Sequence, residues 1–197
     1  MQSTHYIQTV KDQLKPNNMK HFVIALTLIF IAKSSFSQIN EDMKSISNAE
    51  KFSAKAGLLI KKEFIDIGII NKTEIKVVHY TDLISNETIS SVRFEMETAS
   101  SYSSDTKIAT LDSDEVKGLI NSIKMMHENV FFSTPNNYTE VSYKSRGGFE
   151  AGCYWSKDDW KPYLKLEKFD GKSYVFMEQK DFPKLSSLLQ EAQNKME

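Results

Sequence analysis

The stretch "YKSRGGFEAGCYW", Tyr143 to Trp155, decides how the second half of the chain is built. It holds the chain's one cysteine, an arginine and two consecutive glycines, so it could be a nucleophile beside an anion-binding turn or the centre of a β-hairpin. Side chains alternate along a strand, which puts Phe149, Ala151, Cys153 and Trp155 on one face and Glu150, Gly152 and Tyr154 on the other. Cys153 then shares its side with three apolar residues and reads as a small core hydrophobe. A nucleophilic thiol needs a cation or helix N-terminus to lower its pKa and a histidine base in reach, and the pattern supplies neither. Arg146-Gly147-Gly148 reads as a turn that needs positive φ, with Arg146 exposed at its tip and free to meet an anion.

From this hairpin the pattern extends in both directions. Downstream, "YLKLEKF" and "SYVFMEQ" read as two further strands around Asp170-Gly171-Lys172, followed by the amphipathic helix "DFPKLSSLLQEAQNKM". Its stripe is Leu185, Leu188, Leu189 and Ala192, with Asp181 as the expected N-cap and Pro183 in the first turn, where a missing amide is harmless. Upstream, "LLIKKEFIDIGII", "TEIKVVHYTDL" and "TISSVRFEME" are β-branched and aromatic-rich, with Ile75, Val77, His79, Thr81 and Leu83 on one face of the second segment. They predict an antiparallel meander, completed by a short fourth strand, "TKIATL".

Between the two sets, "DSDEVKGLINSIKMMHENV" changes the apolar period from two to about 3.6. Val116, Leu119, Ile120, Ile123 and Val130 form its stripe. Asp112 and Glu115 have capping-box spacing, so a helix is predicted over 112–129. The order is four strands and a helix, twice: an α+β fold of two ββββα-like halves, 57–130 and 131–197, with helices packed on one face of antiparallel sheet. One continuous sheet and two separate sheets both satisfy this pattern. The element order resembles the tandem fold of the β-lactamase-inhibitor-protein type. "LDSDEVKGLI" together with "YKSRGGFEAGCYW" is similar to exported bacterial proteins of no assigned function. Neither resemblance implies a catalytic residue, and fold alone does not carry inhibitor activity with it.

The chain's first third differs in character. "MKHFVIALTLIFIAKSSFSQ", Met19 to Gln38, has a lysine, an apolar run from Phe22 to Ala32 and the small-x-small triplet Ser35-Phe36-Ser37. That is the layout of a secretory signal, with an apolar run below the ~20 residues a membrane span needs. Export to the periplasm or beyond is expected, with cleavage near Ser37-Gln38, Met19 as the translation start and residues 1–18 a gene-model extension. Residues 38–56 read as a polar lead in which Ser47 caps a short helix ending before Gly57. Loss of residues 1–37 removes four lysines and one aspartate, so the formal net charge moves from −1 to −4 over the remaining 160 residues. A mildly acidic chain without a basic stripe gives no reason to expect nucleic-acid binding. After cleavage no membrane anchor is expected. With one cysteine, no intrachain disulfide can form.

Candidate chemistry is sparse. Past the leader only His79 and His127 remain, both at boundary positions of their elements, and no His-x-x-x-His, His-Glu-x-x-His or cysteine pair offers a zinc site. No metal or other cofactor is expected. Asp112, Asp114 and Glu115 are accounted for by capping and by the field at a helix N-terminus. Asp158 and Asp159 lack the alternating ligand spacing of a calcium loop. "YWSKDDWKPY" places Tyr154, Trp155, Trp160 and Tyr163 in what reads as a hairpin connection, with Trp160 among charges. Exposed rings of this kind form platforms for a sugar or a partner protein. The expected function is a non-catalytic binding module at the cell envelope, contacting an unknown protein or carbohydrate through Arg146, Tyr154, Trp155, Trp160 and Tyr163. The alternative is a small hydrolase or metal-dependent enzyme using His79 or His127 with carboxylates from elsewhere in the fold.

Overall fold

A computed structural model of the protein describes residues 46–100 and 103–197; the signal expected over 19–37 and the extension expected over 1–18 lie outside them. Among the described residues there are two separate four-stranded antiparallel sheets and three α-helices. The first sheet is the meander β1 (Ile60–Ile70), β2 (Thr73–Asp82), β3 (Thr88–Ser100) and β4 (Ser103–Asp112), preceded by α1 (Asn48–Ser53) and followed by α2 (Ser113–Glu128). The second is β5 (Glu140–Lys144), β6 (Glu150–Ser156), β7 (Asp159–Lys165) and β8 (Tyr174–Phe176), followed by α3 (Asp181–Lys195). The predicted α+β order is therefore present, and the open question of one sheet or two resolves to two. No helix among the described residues is long and apolar enough to cross a membrane.

One core unites both halves. The inner face of the first sheet contributes Ile75, Val77, Val92, Phe94 and Leu111, α2 contributes Val116, Leu119, Ile123 and Met126, and α3 contributes Phe182, Leu185 and Leu189. The second sheet adds Ala151, Cys153, Trp160, Leu164 and Val175. The helices pack against each other; α3 lies on β1 and β2, while α2 touches β3 and β4 of the first sheet and β5 and β6 of the second. Phe94 and Phe149 stack between the sheets with centroids 4.8 Å apart. Each such side chain, fully buried, stabilises the fold by roughly 1.5–3 kcal/mol.

Several local readings shift. β4 is ten residues long rather than the six of "TKIATL". β2 ends at Asp82, whose carboxylate accepts from the amides of Ile84 and Ser85 and turns the chain. Leu83 consequently leaves the sheet face and is exposed. Asp181 is the first residue of α3 and not its N-cap; its carboxylate accepts from the Glu178 amide. α1 is capped by Ser47 as expected, and it belongs to the folded unit ahead of Gly57. Ala49 and Phe52 pack on Val78 and Tyr80, covering one end of the first sheet's outward face.

Candidate functional site

The five expected contact residues do not form one surface. In an antiparallel meander the chain reverses at each turn, so the turn before β6 and the turn after it lie at opposite ends of that strand. Arg146 is in the first of these and the Lys157-Asp158 turn in the second. Lys157 and Asp158 both adopt left-handed φ, 54° and 59°, which makes a two-residue hairpin turn and starts β7 at Asp159. The supposed connection around Trp160 is thus strand, and Trp160 pairs directly with Trp155 across it.

Strand parity then separates the aromatics. Trp155 and Trp160 point inward, edge to face at 5.6 Å. Trp160 is 2% exposed, and its indole N–H donates to the Ser133 carbonyl at 3.0 Å. Its charged sequence neighbours do not bring it to the surface, because Asp159 and Lys161 sit on the opposite face of the strand, where they pair with each other. Trp160 is a core residue.

Arg146 is likewise engaged. Its guanidinium donates to Asp112 at 2.6 Å and to both carboxylate oxygens of Asp114 at 2.8 Å, and its amide donates to Glu115 at 2.6 Å. Asp112 also accepts from the amides of Asn48 and Ala49 at the start of α1, while Glu115 reaches back to the Asp112 amide. One turn therefore ties together α1, α2 and the β5–β6 hairpin. Gly148, at φ +87°, lets the chain leave it. The guanidinium hydrogen-bonded to Asp114 holds that carboxyl down at about 2. Arg146 is exposed at the turn as expected, but its guanidinium is taken up by these carboxylates instead of being free to meet an anion.

Cys153 is fully buried, 4.0 Å from the Met126 sulfur, and burial pushes its thiol up to about 12, the reverse of what a nucleophile needs. His79 Nδ1 bonds the Ser90 hydroxyl at 2.8 Å, and Glu63 stands opposite it on β1. The Glu63 carboxylate, however, is paired with Lys61 at 2.9 Å, which lowers its pKa. His127 meets Phe131 edge-on, and its Nδ1 is buried without a partner. Among the described residues no three His, Cys, Asp or Glu side chains gather closely enough to hold a metal.

The remaining two expected residues, Tyr154 and Tyr163, open onto a site that the sequence reading missed. Register places Glu140, Tyr154 and Lys161 in one row across the outward face of the second sheet. Ser142, Gly152, Tyr163 and Phe176 form the next row, and Lys144, Glu150, Lys165 and Tyr174 the third. Tyr154, Tyr163 and Tyr174 run diagonally over these rows, and Phe176 flanks Tyr163 in the middle one. Ring centroids are 6.4 Å apart from Tyr138 to Tyr154, 6.4 Å from Tyr154 to Tyr163, 5.4 Å from Tyr163 to Tyr174 and 5.8 Å from Tyr174 to Phe176.

Tyr138 and Phe176 are open, 67% and 63% exposed, while Tyr163 is buried among its neighbours and its hydroxyl pKa is pushed up by that burial. Tyr138 donates to the Glu140 carboxylate. Gly152 is required at its place, because a Cβ there would lie 2.6 Å from the Val141 carbonyl oxygen. Tyr138, Tyr174 and Phe176 carried a usable signal: once β8 is paired with β7, Tyr174 and Phe176 share the parity of Tyr163.

The first sheet's outward face is different in kind. Beyond α1 it presents Glu74, Lys76, Arg93 and Glu95 in a ladder of ion pairs bordering a cleft of about 650 Å³. Comparison of the chain with protein-family models, with curated proteins and with solved structures finds no match.

Proposed function

We propose that this is an exported, non-catalytic binding module whose contact surface is the outward face of the second sheet. The observation that carries the reading is the aromatic run of Tyr138, Tyr154, Tyr163, Tyr174 and Phe176 across the sheet face turned away from the core that Ala151, Cys153, Trp160 and Leu164 join. Tyrosine brings large contact area with little rotamer entropy to lose, and sheet neighbours hold these rings in place beforehand. The apolar run from Phe22 to Ala32 supports export, and the ligand is accordingly sought in the cell envelope, as a protein or a carbohydrate. The chemistry of Cys153, His79 and His127 speaks against the hydrolase alternative, since His79 bonds a serine and His127 Nδ1 has no partner, so neither is hydrogen-bonded to an orienting carboxylate among the described residues.

The test is capture from envelope extract by the immobilised protein, compared with a Tyr154→Ala/Tyr174→Ala double variant. The variant is expected to keep a cooperative unfolding transition, only modestly lowered, and to lose the captured material. Capture that survives the double substitution in a folded protein removes this face from the account.

A further inference from the structure

Resting on that reading of the face, we infer that its ligand is a neutral, extended oligosaccharide chain. Two of the three acids on the face, Glu150 and Asp159, are held by its lysines, and the third, Glu140, is held by a tyrosine hydroxyl. Glu150 lies between Lys144 at 3.3 Å and Lys165 at 4.0 Å, Lys161 holds Asp159 at 2.7 Å, and Glu140 accepts from Tyr138. Lys165 additionally sits over the Tyr174 ring, 5.3 Å from its centroid. Three acids and three lysines leave no net charge on the surface, so a charged ligand would have to break these pairs to gain a partner. An uncharged ligand meets no such penalty. Its recognition falls to the rings and to hydrogen-bond acceptors at their margins.

Sugars fit that division of labour. The C–H face of a pyranose ring stacks on an aromatic ring, and its hydroxyls donate to carboxylates such as those of Glu140 and Glu150. From Tyr138 through Tyr154 and the buried Tyr163 to Tyr174 the rings follow one another at 6.4, 6.4 and 5.4 Å, the scale of successive units in a glycan, and Phe176 lies beside Tyr163. Adjacent planes are tilted by 37°, 43° and 53° before the nearly parallel Tyr174–Phe176 pair at 11°, which suits a twisting chain better than a flat crystalline surface. A protein partner would be expected to seat an anchor side chain in a pocket. Four clefts of about 150 to 650 Å³ lie against other residues of the described chain.

Isothermal titration of the mature protein with maltohexaose, cellohexaose, xylohexaose, mannohexaose and chitohexaose, and with hexagalacturonate as a charged control, tests this. At least one neutral chain is expected to bind, with affinity unchanged by added salt. Tyr174→Ala should lower that affinity about tenfold, the factor for about 1.4 kcal/mol of lost stacking. Lys117→Ala, remote from the face, should leave it unchanged. Binding of hexagalacturonate alone, binding that salt abolishes, or no binding by any neutral chain overturns the inference. If the glycans fail while capture from envelope extract still depends on Tyr154 and Tyr174, the ligand is not a neutral glycan and the face remains the contact surface. If neither depends on those tyrosines, both fall.

Discussion

Arg146 and Asp112 are joined at 2.6 Å between a hairpin turn and the first residue ahead of α2, with the carboxylate almost fully buried and the guanidinium about one-third exposed. The same carboxylate receives two amides of α1, so this pair fastens the start of the fold to its middle. Removing one partner of a buried pair leaves the other charge uncompensated, typically at about 3–5 kcal/mol. Water can reach the vacated place of a partly exposed arginine, so Arg146→Ala should destabilise by about 2–3 kcal/mol in urea unfolding. A loss below ~0.5 kcal/mol, as at an ordinary surface site, would return Arg146 to the role of a free surface cation.

Asp114 gives the same cluster a signature in pH. Its pKa falls from an ordinary 3.8 to about 2 beside Arg146. As pH drops through 3.8 the unfolded chain takes up the proton first, so the contribution of Asp114 to stability is whole above that value and is lost on the way down to about 2. Urea unfolding of the parent and Asp114→Asn proteins should differ at pH 6 and converge at the acid end of that window. A difference that is constant across the window would contradict the pairing. The carboxylate is largely exposed, so the effect should be small.

Trp160 and Tyr154 should behave oppositely on truncation. Trp160→Ala removes a ring from the shared core and should destabilise by about 3–5 kcal/mol. Tyr154→Ala removes one half-buried member of a cross-strand aromatic run on the outward face, worth about 1 kcal/mol or less. Chemical denaturation of the two variants side by side reads this directly, and equal losses would mean that parity on β6 and β7 has been misassigned.

Much of the fold was legible because it depends on periodicity. The switch from alternation to a helical stripe at Asp112, the inward face of Phe149, Ala151 and Cys153, and the Ser47 cap all follow from local pattern. The contact surface was less legible, for two physical reasons. Lys157 and Asp158 carry left-handed φ with no glycine to mark the turn, so local pattern alone puts Trp160 in a connection instead of a strand. The aromatic line depends on register between β6, β7 and β8, and the three-residue β8 is too short for its own pattern to announce the pairing. Arg146 illustrates a third limit, since its partners Asp112 and Asp114 are more than thirty positions away.

Hydroxyl-radical footprinting read by mass spectrometry, on the protein alone and in envelope extract, places the ligand without requiring its identity. Protection of Tyr138, Tyr154, Tyr174 and Phe176, with Leu83, Ile84 and Phe132 reacting as before, is the predicted result. Unchanged reactivity along that line while protection appears elsewhere on the surface would contradict the account.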